Sequence, residues 1–186
     1  MTGLSTTLPQ NLRALMEEGR VDQALAELSH CEIGAREPGR GATALHITPC
    51  PDEFVRHLVE RGEDINAADN YGRRPLHERA CWARKDQIGL LLELGAEVDA
   101  PDKNGRTPLH AAAEGLCLPA VEKLLAAGAD PARRATRWGK KYSAITYALR
   151  GGENYRLQSM LEIVEKLLAA GARLPKIGRA SCRERV

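Results

Sequence analysis

Apolar residues recur along this chain in short blocks, each closed by a glycine. Ile88-Gly89-Leu90-Leu91-Leu92 runs up to Gly95, and Val121-Glu122-Lys123-Leu124-Leu125 runs up to Gly128. Apolar positions three and four apart mark one face of a helix, and a glycine after the last one suits a left-handed C-cap. Each block follows a shorter segment headed by proline, Pro75 or Pro108, which favours the first helical turn, and Thr107 before Pro108 is a fair N-cap. The pattern predicts two short helices per unit. Gly62, Gly95 and Gly128 keep a spacing of 33 residues, and Gly171 follows after 43. Asp69-Asn70-Tyr71-Gly72 and Asp102-Lys103-Asn104-Gly105 are turn signals between units. One helix pair cannot bury its own apolar face, so the units must stack.

The signature Thr107-Pro108-Leu109-His110 returns as Arg74-Pro75-Leu76-His77 and Thr43-Ala44-Leu45-His46. With Ala112 and Ala113 it resembles the ankyrin repeat family, and the 33-residue period agrees. The resemblance spans residues 42–175 and implies an all-α ankyrin-repeat solenoid of stacked helix-turn-helix units joined by hairpin loops. It divides the chain into a helical capping unit at residues 1–42 and repeats at about 43–74, 75–106, 107–142 and 143–175. The cap is read from apolar positions at helical spacing in 11–19 and 21–28. The fourth unit is divergent: Thr146 replaces the signature histidine, and about seven extra residues precede its second helix. The first unit is two residues short at Thr48-Pro49-Cys50-Pro51, so its first helix should be truncated. Arg79 stands where the family places a small Ala, and this cation is expected to snorkel or to find a carboxylate.

Residues 177–186 do not continue the repeat and resemble the translation of a short-read sequencing adapter. Residues 176–186 are therefore read as a non-native tail, with the natural continuation after Lys176 missing. This changes the charge of the chain. The sequence carries 27 basic and 25 acidic residues. Without 177–186 the two are equal, and the remaining basicity is concentrated in one hairpin. Five cysteines without pairing rhythm point to reduced thiols. No stretch approaches a membrane span, and residues 1–10 lack the basic flank and apolar core of a secretory signal, so a cytoplasmic setting without membrane contact is expected.

Enzyme chemistry finds little support. His46 and Cys50, and His77 and Cys81, share a spacing that would suit zinc if all four converged. The resemblance instead makes these histidines structural, hydrogen-bonded to backbone, and Pro49 interrupts the first pair. A Cys50–Cys81 disulfide is not expected, because equivalent positions on packed helices lie about 8–10 Å apart. Gly139-Lys140 lacks the earlier glycine of a phosphate-binding loop, Arg134 standing in its place. No cofactor, metal or catalytic residue is assigned.

What is left is recognition of an unidentified protein by a chain expected to be monomeric. The resemblance implies a concave surface built from loop tips and first helices. On this chain that surface comprises Asn70, Tyr71, Arg73, Glu78, Cys81 and Trp82, then Lys103, Asn104, Arg106, Ala111 and Glu114. Trp, Tyr and Arg are the usual anchors of interfaces. The second candidate is the loop Arg133, Arg134, Arg137, Trp138, Lys140, Lys141 and Tyr142, which holds five cations and two aromatic rings and no acid. Such a basic finger suits an acidic protein surface or, as an alternative, nucleic acid. A further alternative makes the chain the targeting part of a larger truncated enzyme or effector.

Overall fold

The structure, a computed structural model, describes residues 4–81, 87–137, 139–151 and 157–174. Trp82, Trp138 and the adapter-like tail lie outside the described residues. The described chain runs β1 (Ser5–Thr7), α1 (Leu12–Glu17), α2 (Val21–Leu28), β2 (Cys31–Arg36), a 3₁₀ turn (Ala44–His46) and α3 (Asp52–Glu60). It continues through α4 (Pro75–Cys81), α5 (Gln87–Glu93), α6 (Pro108–Glu114), α7 (Leu118–Ala126), β3 (Arg134–Arg137), β4 (Lys140–Ser143), α8 (Ala144–Gly151) and α9 (Leu157–Ala169). The 3₁₀ turn, α4, α6 and α8 pack side by side as one row, and α5, α7 and α9 form a second row behind it.

Periodicity in the sequence becomes periodicity in the core. Leu58, Leu91, Leu124 and Leu167 stand at equivalent places in four successive units, and all four are fully buried. The signature positions Leu45, Leu76 and Leu109 are buried in the same way, with Ile145 in the divergent unit. Each such side chain contributes about 2 kcal/mol on leaving water. The stack therefore holds through two continuous apolar stripes, and no unit owns a core of its own.

Loop tips add a hydrogen-bonded ladder. Asn70 N–H donates to Arg40 O (2.9 Å), Lys103 N–H to Tyr71 O (3.0 Å) and Thr136 N–H to Asn104 O (2.6 Å). Gly72 is required here twice over. Its φ is +78°, and an added Cβ would lie 2.7 Å from Lys103 N. Gly115 is small for another reason: a Cβ there would meet Cys81 O at 2.6 Å, where the ends of α6 and α4 pass each other.

Two departures from the expected all-α architecture are clear. β1 and β2 form a parallel pair beside the N-terminal helices, and β3 and β4 form an antiparallel hairpin with Thr136 opposite Lys141. The hairpin replaces a plain loop because the basic segment is long enough to pair with itself around Gly139, which takes φ +71°.

The first unit is shortened as expected, its first helix reduced to the 3₁₀ turn between Thr43 and two nearby prolines. Its free backbone is satisfied from the second unit. Arg79 Nη2 donates to Leu45 O (3.2 Å), and the Gln87 amide donates to Cys50 O and to Asp52 Oδ1. Arg79 does not snorkel, and it has no carboxylate partner among the described residues. It is buried beside the Cys50 thiol, with Nε and Nη1 unpartnered. The missing helical turn left both the space and the carbonyl that this guanidinium fills. Burial pushes the Cys50 thiol up to about 11, with Arg79 pulling weakly against it.

Candidate functional site

The signature histidines sit behind the loop tips and set their positions. His46 Nδ1 is bonded to the Thr43 amide and hydroxyl, and Nε2 lies 3.0 Å from Arg73 O of the next unit. His77 repeats this between the Arg74 amide and Arg106 O. Both rings are thereby committed to backbone and are buried. His110 completes only the first half of the pattern, with Thr107. Its Nε2 faces the carbonyls of Arg133 and Tyr142 without forming a hydrogen bond. Burial first, then the Arg106 charge, lowers its pKa to about 4.

Asp69 organises the tip between units one and two. Its Oδ1 accepts the Tyr71 and Arg73 amides at 2.9 and 2.8 Å, which holds the turn. Its Oδ2 pairs with Arg40 Nε at 3.2 Å and Arg73 Nη2 at 2.9 Å. Glu78 closes the cluster, pairing with Arg40 and, at 3.4 Å, with Arg73. The Arg73 guanidinium also lies over the exposed Tyr71 ring, 4.9 Å from its centroid. Burial works against ionising Asp69, yet the two amide bonds and the arginines hold its carboxyl below the usual value.

Asp102 repeats the turn in the next unit, accepting the Asn104 and Arg106 amides. Here the arginine reaches along the first helix to Glu114 and covers the Tyr147 ring at 5.1 Å. The surface expected from sequence is thus divided. Asn70, Tyr71, Lys103 and Asn104 are exposed at the tips, and Cys81 is half-buried. Glu78 and Ala111 are buried, so Ala111 is not the surface position it was expected to be. Glu78 faces two arginines instead of solvent. Arg73, Arg106 and Glu114 are engaged with neighbours inside the chain.

The basic hairpin is different. Arg134, Lys140 and Lys141 are exposed and make no ion pair among the described residues. Arg133 is exposed as well, and among the described residues its guanidinium donates only to Asp99 O, at 3.2 Å. Arg137 lies on β3, opposite Lys140. Tyr142 turns inward, edge-on to Tyr147 with 6.3 Å between ring centroids, and the Arg150 guanidinium lies 5.7 Å from its ring. That ring belongs to the packing beneath the hairpin.

Sequence reasoning missed Arg40 and Asp69 as members of the charged cluster. Asp69 was visible as a turn residue. Arg40 carried no signal, because its two carboxylates come 29 and 38 residues later. Among the described residues no three His, Cys, Asp or Glu side chains gather as a metal site, and no helix is long and apolar enough to cross a membrane.

Comparison with known proteins agrees with this geometry. The family model described as Ankyrin repeats (3 copies) matches residues 12–102, starting at α1, and the Ankyrin repeat model matches residues 104–135. No curated protein matches the chain. The two matches together cover well over half of the sequence, from α1 into β3, with the fourth helix pair outside them, and the chain belongs to the ankyrin repeat family.

Proposed function

We propose that the chain is a non-catalytic scaffold of the cytoplasm that holds an acidic segment of a partner protein against the basic hairpin. Ankyrin repeats are generally protein-interaction modules, which supports the class of function; the finer reading rests on charge. The observation that carries it is the contrast between engaged and free cations. Arg40, Arg73 and Arg106 have carboxylates within the chain, whereas Arg134, Lys140 and Lys141 have none among the described residues. An acidic segment can reach these side chains without breaking an internal pair, and the exposed Lys103 and Asn104 lie beside them through the Thr136–Asn104 bond. Backbone pairing holds the hairpin in place, so little ordering is lost on binding.

The test is titration of the chain with a fluorescent Glu- and Asp-rich peptide and with a single-stranded oligonucleotide of similar charge. Binding of the peptide should weaken with salt. The triple variant Arg134→Glu/Lys140→Glu/Lys141→Glu should weaken it at least about tenfold, a loss of about 1.4 kcal/mol. Peptide binding that ignores the triple variant would sink the reading. Tighter, salt-steep binding of the oligonucleotide would favour the nucleic-acid alternative.

A further inference from the structure

The shortened helix of unit one leaves a gap inside the stack. In unit three the first helix, α6, runs seven residues and packs on α4 at one side and α8 at the other. The matching helix of unit one stops after three residues, and the chain leaves it through Ile47 toward Pro49. Between this turn and α1 lies a cavity of about 280 Å³, room for one large side chain. The buried side chains Leu8, Leu12, Ala42 and Ile47 line its depth. Thr43 and His46 also border it, but their polar side-chain atoms are engaged with each other and with Arg73 O.

The walls carry opposite charges. Arg13 comes from α1 and Glu37 from the segment after β2, and both line the cavity. Neither side chain makes a hydrogen bond or an ion pair among the described residues, and the two do not reach each other. Their neighbours differ: Arg36 is held by the Gly41 and Ala68 carbonyls, and Arg40 by Asp69 and Glu78. The cavity is also built before anything enters it. Leu8 N–H donates to Arg36 O (3.1 Å) and Glu37 N–H to Ala42 O (2.7 Å), tying both walls to β2 and unit one. Pro9 and Pro38 border the cavity too, and their fixed φ stiffens the two segments.

We propose that this cavity is a docking site for one apolar side chain of a partner protein, the size of leucine or larger. The segment that carries it places an acidic residue at Arg13 and a basic residue at Glu37. Charge complementarity selects this occupant: a uniformly acidic segment, suited to the basic hairpin, would be repelled at Glu37. The site therefore differs from the hairpin in the chemistry it takes, and it does not depend on that reading. Preformed apolar pockets with a few placed polar groups are the usual form of such sites.

The experiment is fluorescence titration of the full chain with dye-labelled peptides of zero net charge, up to about 1 mM. Their cores read Glu-Leu-Lys, Lys-Leu-Glu and the alanine counterpart of each. One leucine order should bind best, and its alanine counterpart at least about tenfold more weakly. Arg13→Gln and Glu37→Gln should each weaken the preferred peptide about threefold, the scale of an exposed ion pair. The swap Arg13→Glu/Glu37→Arg should invert the preference between the two orders. Circular dichroism should stay unchanged, because neither side chain is bonded within the described chain. The variant Arg134→Glu/Lys140→Glu/Lys141→Glu should bind these peptides as the parent does. No binding of either leucine peptide, equal binding of leucine and alanine cores, or a preference that survives the swap would overturn the proposal. So would binding abolished by the hairpin variant, which would place the peptides on the hairpin.

Discussion

The junction between units one and two and the junction between units three and four use the same parts and reach opposite electrostatic states. At the first, Arg40 and Arg73 close on Asp69 and Glu78, and His46 ties its turn to the next unit through Arg73 O. At the second, Arg134, Lys140 and Lys141 point to solvent without a carboxylate among the described residues, and His110 lacks the corresponding bond. The cause is local sequence. A short tip keeps its arginines within reach of the next helix, whereas the longer fourth-unit tip pairs with itself as β3 and β4 and lifts its cations away. Counting cations thus says little about a binding surface until their internal partners are known.

The largest expected effect comes from breaking the locked junction. Asp69→Ala removes two turn hydrogen bonds and leaves two arginines short of a partner, and should lower the unfolding free energy by about 3 kcal/mol in urea. Lys140→Ala/Lys141→Ala should change it by less than about 0.5 kcal/mol. Equal losses would remove the contrast.

Acid should act next. The pKa of His46, His77 and His110 is lowered in the fold, chiefly by burial. The unfolded chain therefore takes up protons first, and stability, complete above about pH 6.5, declines as pH falls. For His110 the decline continues to its folded value of about 4. Asp69 adds a second loss at lower pH, because its folded carboxyl is depressed and its contribution vanishes as pH drops through that value. Urea unfolding from pH 8 to 3 reads both phases, and a flat profile between about pH 6.5 and 4 would contradict the histidine assignment.

A small effect, of either sign, is expected at Arg79, a cation of the first junction with no carboxylate partner among the described residues. Arg79→Met keeps much of the buried volume and removes an incompletely paired charge. Stability should stay within about 1 kcal/mol of the parent or rise. A larger fall would show that the bond to Leu45 O outweighs the cost of burying the guanidinium.

Much of this was legible in the sequence because it is local and periodic. The glycine spacing, Pro75, Pro108 and the signature leucines were enough for the helix pairs, and Pro49 and Pro51 for the shortened first helix. The β3–β4 hairpin was visible as a basic segment and not as strands, since Arg134-Ala135-Thr136-Arg137 has no apolar alternation. Its pairing comes from docking against Asn104 and from Ala135 packing inward. The charged cluster was hidden because ion pairing between loops depends on how units stack, which no single segment encodes. Arg40 and Glu78 meet only after two loops and a helix are in place. The opposite holds for Glu114, whose partner Arg106 lies eight residues away on the same unit.

The truncated first unit has one last consequence, for the order in which the stack can come apart. Backbone carbonyls of Leu45 and Cys50 are capped by Arg79 and Gln87 of the following unit. Unit one is thus a client of unit two. Opening should spread from the N-terminal side, so that amide protons around Ile47 exchange whenever α4 moves, while those of Leu109 to Ala113 stay protected until the whole array opens.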